Sequence, residues 1–97
     1  MSSGPPIGPN LQVGQLVYSK AGRDRGRPFL VWEIISDRRI ALVDGKLRRV
    51  VKPKIKNTLH VQAASRMAQD IAAKRQKGEP VSDAEVRRAI ARLLGEE

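Results

Sequence analysis

The sequence predicts a mainly β fold: a small barrel of about five strands followed by a C-terminal helical hairpin. Three observations predict it. Short runs rich in Val, Ile, Leu and aromatic residues recur between Gln12 and Val61, each bounded by Gly, Pro, Asp or Arg. At Ala63 the composition changes to helix formers. A capping box then opens the last segment at Ser82-Asp83-Ala84-Glu85.

The first strand is expected over Gln12–Lys20 and the second over Pro28–Ile35, reading Pro-Phe-Leu-Val-Trp-Glu-Ile-Ile; the third, Ile40–Val43, reads Ile-Ala-Leu-Val. Asp44-Gly45 follows at once, a preferred pair for a two-residue hairpin turn with positive φ at both positions, so a fourth strand is expected over Lys46–Val51. Pro53 cannot donate to a ladder and closes that strand, leaving Lys52–Asn57 as an extended basic arm. A last short strand is expected over Thr58–Val61. This many short strands with tight turns suit an SH3-like barrel rather than a sandwich, which needs more strands.

From Ala63 the spacing of Ala64, Met67, Ile71 and Arg75 predicts a helix that Lys77-Gly78-Glu79-Pro80 ends, glycine as C-cap and proline as block. Val86, Ile90, Leu93 and Leu94 give the second helix one apolar stripe. Residues 1–10, with Pro, Gly, Ser and Asn and a single large aliphatic beyond Met1, are expected to be a disordered tail. The expected organisation is thus a tail over 1–10, a barrel over 11–62 and a helical extension over 63–97.

Charge points to the partner. Among 97 residues, 19 Lys and Arg stand against 10 Asp and Glu, a net +9. The surplus is uneven: twelve basic and four acidic residues lie between Gln12 and Gln62, while the segment from Ala63 onward is nearly balanced. Such a surplus favours polyanions. The absence of cysteine excludes disulfides, thiolate nucleophiles and cysteine-ligated zinc, and fits a reducing cytoplasm. The N-terminal residues lack the basic start and apolar core of a signal peptide, and no run approaches a membrane span. A soluble cytoplasmic protein is the expectation.

Two basic clusters are the candidate site. Lys20, Arg23, Arg25 and Arg27 crowd one loop, with Gly22 and Gly26 supplying positive φ or close backbone approach to phosphate. Asp24, in their midst, is expected to pair with a neighbouring arginine. Lys46, Arg48, Arg49, Lys52, Lys54 and Lys56 form the second cluster; strand alternation would put Lys46 and Arg48 on one face and Arg49 on the other. Arg38 and Arg39 sit in the preceding turn. His60 has no companion histidine or cysteine for a metal and is read as packed or hydrogen-bonded to phosphate. Tyr18, Phe29 and Trp32, the only aromatics, read as core rather than as a stacking platform for single strands, which favours folded or double-helical RNA.

These residues resemble a KOW motif, the short RNA-binding element of several ribosomal proteins and transcription elongation factors. Gly14-Gln15-Leu16-Val17 is similar to its opening strand, Gly22-Arg23-Asp24-Arg25-Gly26 to its basic loop with the hallmark glycine, and Val31 to the apolar residue of the next strand. Asp37–Gly45 followed by Arg48-Arg49 is similar to the second half of the archaeal and eukaryotic large-subunit ribosomal proteins numbered fourteen, so the chain resembles a bacterial-type relative of them. The resemblance spans about Val13 to His60. It implies an SH3-like KOW barrel that binds structured, ribosomal RNA as a ribosomal or ribosome-associated protein in translation.

The expected function is therefore non-enzymatic, with no cofactor, metal, membrane or small-molecule substrate: no nucleophile–base pair, P-loop or metal set is visible. The alternative is a protein-interaction module on transcription or translation machinery that docks through residues 63–97. Replacing Arg23, Arg25 and Arg27 by Ala is expected to weaken RNA binding far more than replacing Arg87, Arg88 and Arg92.

Overall fold

A computed structural model of the chain describes residues 10–95, so the expected tail over 1–10 lies, but for its last residue, outside the described residues. Five strands precede two helices: β1 (Gln15–Ser19), β2 (Pro28–Ile34), β3 (Arg39–Val43), β4 (Lys54–Asn57), a 3-10 turn (Thr58–His60), β5 (Val61–Met67), α1 (Gln69–Lys77) and α2 (Asp83–Gly95). The fold is mainly β, as the sequence predicts. The strands form one antiparallel sheet in the order β4-β3-β2-β1-β5: a four-strand meander whose fifth strand returns to the free edge of the first. That is the strand order of a small SH3-like barrel, although β4 and β5 end the sheet without pairing to each other.

Both faces of the sheet are buried, which explains the unbroken apolar runs. Leu16, Leu30 and Val43 lie opposite one another across β1, β2 and β3 and pack under the helices with Ile71, Val86, Ala89 and Leu93. Val17, Phe29, Val31, Ile40, Leu42 and Val61 form a second core on the other face. Each fully buried Leu, Ile or Phe contributes roughly 2 kcal/mol by leaving water. Register shifts between Gln15 and Val17 and between Val31 and Glu33 mark bulges, which bend a strand and re-aim the residues beside them.

Several expectations are corrected. The fourth strand does not form over Lys46–Val51. Asp44 Oδ1 accepts the amides of Lys46 (2.9 Å) and Arg48 (2.8 Å), and Asp83 Oδ1 accepts that of Val50 (2.8 Å). These alternate amides are the set one ladder would need, and carboxylates have taken them. The Asp44-Gly45 turn differs accordingly: Gly45 has φ 77°, but no non-glycine residue described has positive φ. Glycine is required there for a second reason, because a Cβ would collide with the Asp83 carbonyl and the Arg87 side chain.

Second, Lys54–Asn57 is no free arm but β4, paired with β3 along Leu42↔Lys54 and Ile40↔Lys56. Third, the helix does not start at Ala63. Residues 61–67 form β5 on β1, with Val17↔Ala63 and Tyr18↔Gln62 opposed, and the Gln15 side chain donates to the Ala64 carbonyl at 3.0 Å. The open edge of β1 offers a ladder, and that outweighs the helix preference of Ala63 and Ala64, which is strong in rank but worth less than about 1 kcal/mol per residue. The boundary expected at 62/63 therefore falls inside a strand. Of the last strand expected over Thr58–Val61 only Val61 is in a strand, as the first residue of β5; Thr58–His60 form the 3-10 turn, capped by Asn57 accepting the Leu59 amide at 2.8 Å.

The helix signals hold. Gly78 (φ 74°) caps α1, its N–H reaching the Arg75 and Lys74 carbonyls. Ser82 Oγ accepts the Glu85 amide at 3.2 Å while Glu85 Oε2 accepts the Ser82 amide at 3.0 Å, the reciprocal capping box. Glu85 also pairs with Lys74 across the hairpin.

Candidate nucleic-acid interface

The loop between β1 and β2 is built by its own backbone. Gly26 donates to Ser19 O (2.8 Å), Ser19 to Arg27 O (3.1 Å) and Arg27 to Asp24 O (3.0 Å), with Gly22 and Gly26 at φ 83° and 84° as the sequence predicts. Asp24 does not pair with a neighbouring arginine. Its Oδ1 lies 2.7 Å from Ser19 Oγ and accepts from Lys56 Nζ at 3.1 Å, and Lys56 Nζ also donates to Ala21 O at 3.0 Å. Burial pushes the Asp24 carboxyl up, but hydrogen bonds from Ser19 and Lys56 and the Lys56 charge together hold it below its ordinary value.

This arrangement corrects the role assigned to Lys56. Its side chain is only 9 % exposed and its ammonium is committed to the loop, so it fixes the loop on β4 instead of offering a charge to solvent. The only acid of the Lys20–Arg27 loop is thereby turned inward, and Arg23 and Arg25 remain exposed without an acidic partner among the described residues.

The two basic clusters, far apart in sequence, meet. A cleft of about 320 Å³ is walled on one side by Gly22, Arg23 and Arg27 and on the other by Leu47, Arg48 and Lys54, with Phe29 and the Asp24–Lys56 pair completing it. Strand alternation explains the last contribution: Lys54 and Lys56, two residues apart on β4, face the same side. Alternation does not apply to residues 46–49, and the pairing of Lys46 with Arg48 on one face is replaced. Leu47, 67 % exposed, and Arg48 line this cleft, whereas Lys46 lines a second one.

The second cleft, of about 190 Å³, lies between the sheet and α2, where Arg27, Lys46 and Arg87 surround Asp44 and an apolar wall of Pro28, Ile90, Ala91 and Leu94. Arg27 lines both clefts, its guanidinium 4.0 Å from Asp44 Oδ2. Arg87 was missed by sequence reasoning. On the helical wheel it belongs to the polar face, but Gly45 lets α2 approach closely enough for Arg87 Nη1 to donate to Gly45 O at 2.7 Å. In the sequence only the Asp44-Gly45 pair pointed to this place, through its glycine.

The remaining candidates lie outside both clefts. Lys20, Arg25, Gly26 and Lys52 are exposed around the loop and the following turn, and the Lys20 amide is held by His60 O at 2.8 Å. Arg49 is drawn to α2, its Nε donating to Asp83 Oδ2 at 3.1 Å, with 65 % of its side chain still exposed. His60, Arg38 and Arg39 are exposed. Phe29 is buried; Trp32 is half-buried, with the Arg75 guanidinium 3.9 Å above its ring centre. Tyr18 is half-buried as well, so Tyr18, Phe29 and Trp32 form no exposed aromatic platform.

No helix among the described residues is long and apolar enough to cross a membrane. Compared with known proteins, the chain matches no family model and no curated protein.

Proposed function

We propose that this domain binds structured RNA without catalysing a reaction, and that it does so as a ribosomal or ribosome-associated cytoplasmic protein. One observation carries the reading: the fold joins Arg23 and Arg27 of the first loop to Arg48 and Lys54 of the second segment across a single cleft, while the acid of that loop is neutralised from within by Lys56. Gathering cations this way costs stability unless an anion compensates, and a phosphate backbone laid along the cleft does so. The lack of an exposed aromatic platform favours a folded or double-helical RNA held by phosphate and ribose over a stacked single strand. The similarity of Gly22–Gly26 and Asp37–Arg49 to ribosomal KOW proteins supports RNA, and ribosomal RNA in particular.

Fluorescence anisotropy with a labelled hairpin RNA tests this. If Lys20, Arg23, Arg25, Arg27, Arg48 and Lys54 each neutralise one phosphate, log affinity falls against log salt with a slope of about −4 to −5. A slope near zero sinks the mechanism.

A further inference from the structure

The second cleft is built for something other than phosphate. Its rim is cationic, with Arg27, Lys46 and Arg87, but its wall is apolar (Pro28, Ile90, Leu94) and Asp44 stands among them. The Asp44 side chain is 7 % exposed. Its Oδ1 is saturated by the amides of Lys46 and Arg48, and among the described residues Oδ2 has only Arg27 Nη2 at 4.0 Å, beyond hydrogen-bond distance. A phosphate placed inside would meet hydrocarbon and a carboxylate. A flat, largely apolar group that carries N–H donors on its edge meets complementary surfaces instead, and the rim cations are left for the phosphates on either side of it.

We infer that this cleft receives an unpaired nucleobase extruded from the same RNA whose backbone lies on the first cleft, Asp44 Oδ2 accepting a hydrogen bond from the base edge. The inference rests on the RNA-binding reading above. Two observations select this occupant: the clefts are adjacent, with Arg27 lining both, and the rim charges complement the flanking phosphates. The base must be unpaired because in a duplex its donor edge is already used and its faces are stacked. The domain thereby recognises a bulge or an internal loop rather than a uniform helix.

The test compares three hairpin RNAs by anisotropy at fixed salt: one with a single-nucleotide bulge, one with an abasic bulge, one fully paired. The wild-type chain is expected to bind the base-bearing bulge on the order of ten-fold more tightly than the abasic one. Ala91→Trp fills the cleft from an exposed helix position, and Asp44→Asn keeps the amide acceptor but puts a donor at the second position. Both are expected to abolish the preference for the base, and Ala91→Trp is expected to leave affinity for the paired hairpin within about two-fold. Equal binding of base-bearing and abasic bulges overturns the inference and leaves the RNA-binding reading standing. An equal loss on all three RNAs in Ala91→Trp also overturns it, since the cleft would then hold backbone alone. No salt-sensitive binding of any hairpin overturns the reading beneath it.

Discussion

Lys56 and Arg25 carry the same formal charge in the same basic half of the chain, yet their surroundings give them opposite parts. Lys56 Nζ is buried on Asp24 and the Ala21 carbonyl, whereas Arg25 is exposed with no ion-pair partner among the described residues. Arg23→Ala or Arg25→Ala is expected to shallow the salt slope by about 1 each. Their effect on stability should stay within about 0.5 kcal/mol. Lys56→Met is expected to leave the slope unchanged but to cost about 2 kcal/mol, because Asp24 loses its charged partner in a mostly buried site. Salt-dependent anisotropy beside chemical denaturation separates the two classes; a slope loss in Lys56→Met equal to that in Arg25→Ala would show the ammonium reaching solvent after all. The comparison set of Arg87, Arg88 and Arg92 is likewise no uniform control, since Arg87 lines the second cleft and Arg92 pairs with Asp70 at 3.0 Å. Arg88 alone serves.

At the scale of elements, the helical hairpin is locked by Glu85, which accepts from Lys74 and from the Ser82 amide at once. The Lys74 hydrogen bond, with that of Ser82, pushes the Glu85 carboxyl from an ordinary 4.5 to about 2. A carboxyl lowered on folding stabilises fully above its unfolded value and loses that contribution as pH falls through the folded one. The melting-temperature gap between wild type and Glu85→Gln is therefore expected to be constant above about pH 4.5 and to close towards pH 2. A gap that does not change with pH removes the carboxylate from the account. The hairpin was legible in sequence because its signals are local: Gly78, Ser82 and Glu85 act within a turn or two of themselves. β1 to β3 were legible because both their faces are buried and their apolar runs are unbroken. β5 was not, since Ala63, Ala64 and Ser65 become a strand only through β1, some 45 residues earlier in the chain. The 44–53 segment escaped for the same reason, as Asp83, from the far end of the chain, takes the Val50 amide. The basic residues of the site were visible as composition; their division into a cleft, an internal ion pair and a second cleft depends on tertiary placement.

For the whole molecule, the helices are not an appendage. They supply Ile71, Val86, Ala89 and Leu93 to the core that covers Leu16, Leu30 and Val43, and β5 supplies the edge partner of β1. A chain ending at Gln62 is therefore expected to lose cooperative thermal unfolding and native amide dispersion in NMR spectra. A sharp melt of that fragment would show instead that the barrel folds without the helices. The same interdependence means that the basic β1–β2 loop, the 44–53 segment and α2 belong to one cooperative unit, since Asp83 and Arg87 of α2 hold Val50 and Gly45.

The ion pair beneath the first loop has a thermodynamic consequence for any encounter. A glycine-punctuated basic loop left to itself samples many shapes, and an anion that captures it must repay the entropy of stilling backbone and side chains. Here Lys56 fastens the loop to β4 through Asp24 and Ala21 while the chain folds. The ordering cost is met once, intramolecularly, and the loop backbone would meet any anion already in one shape.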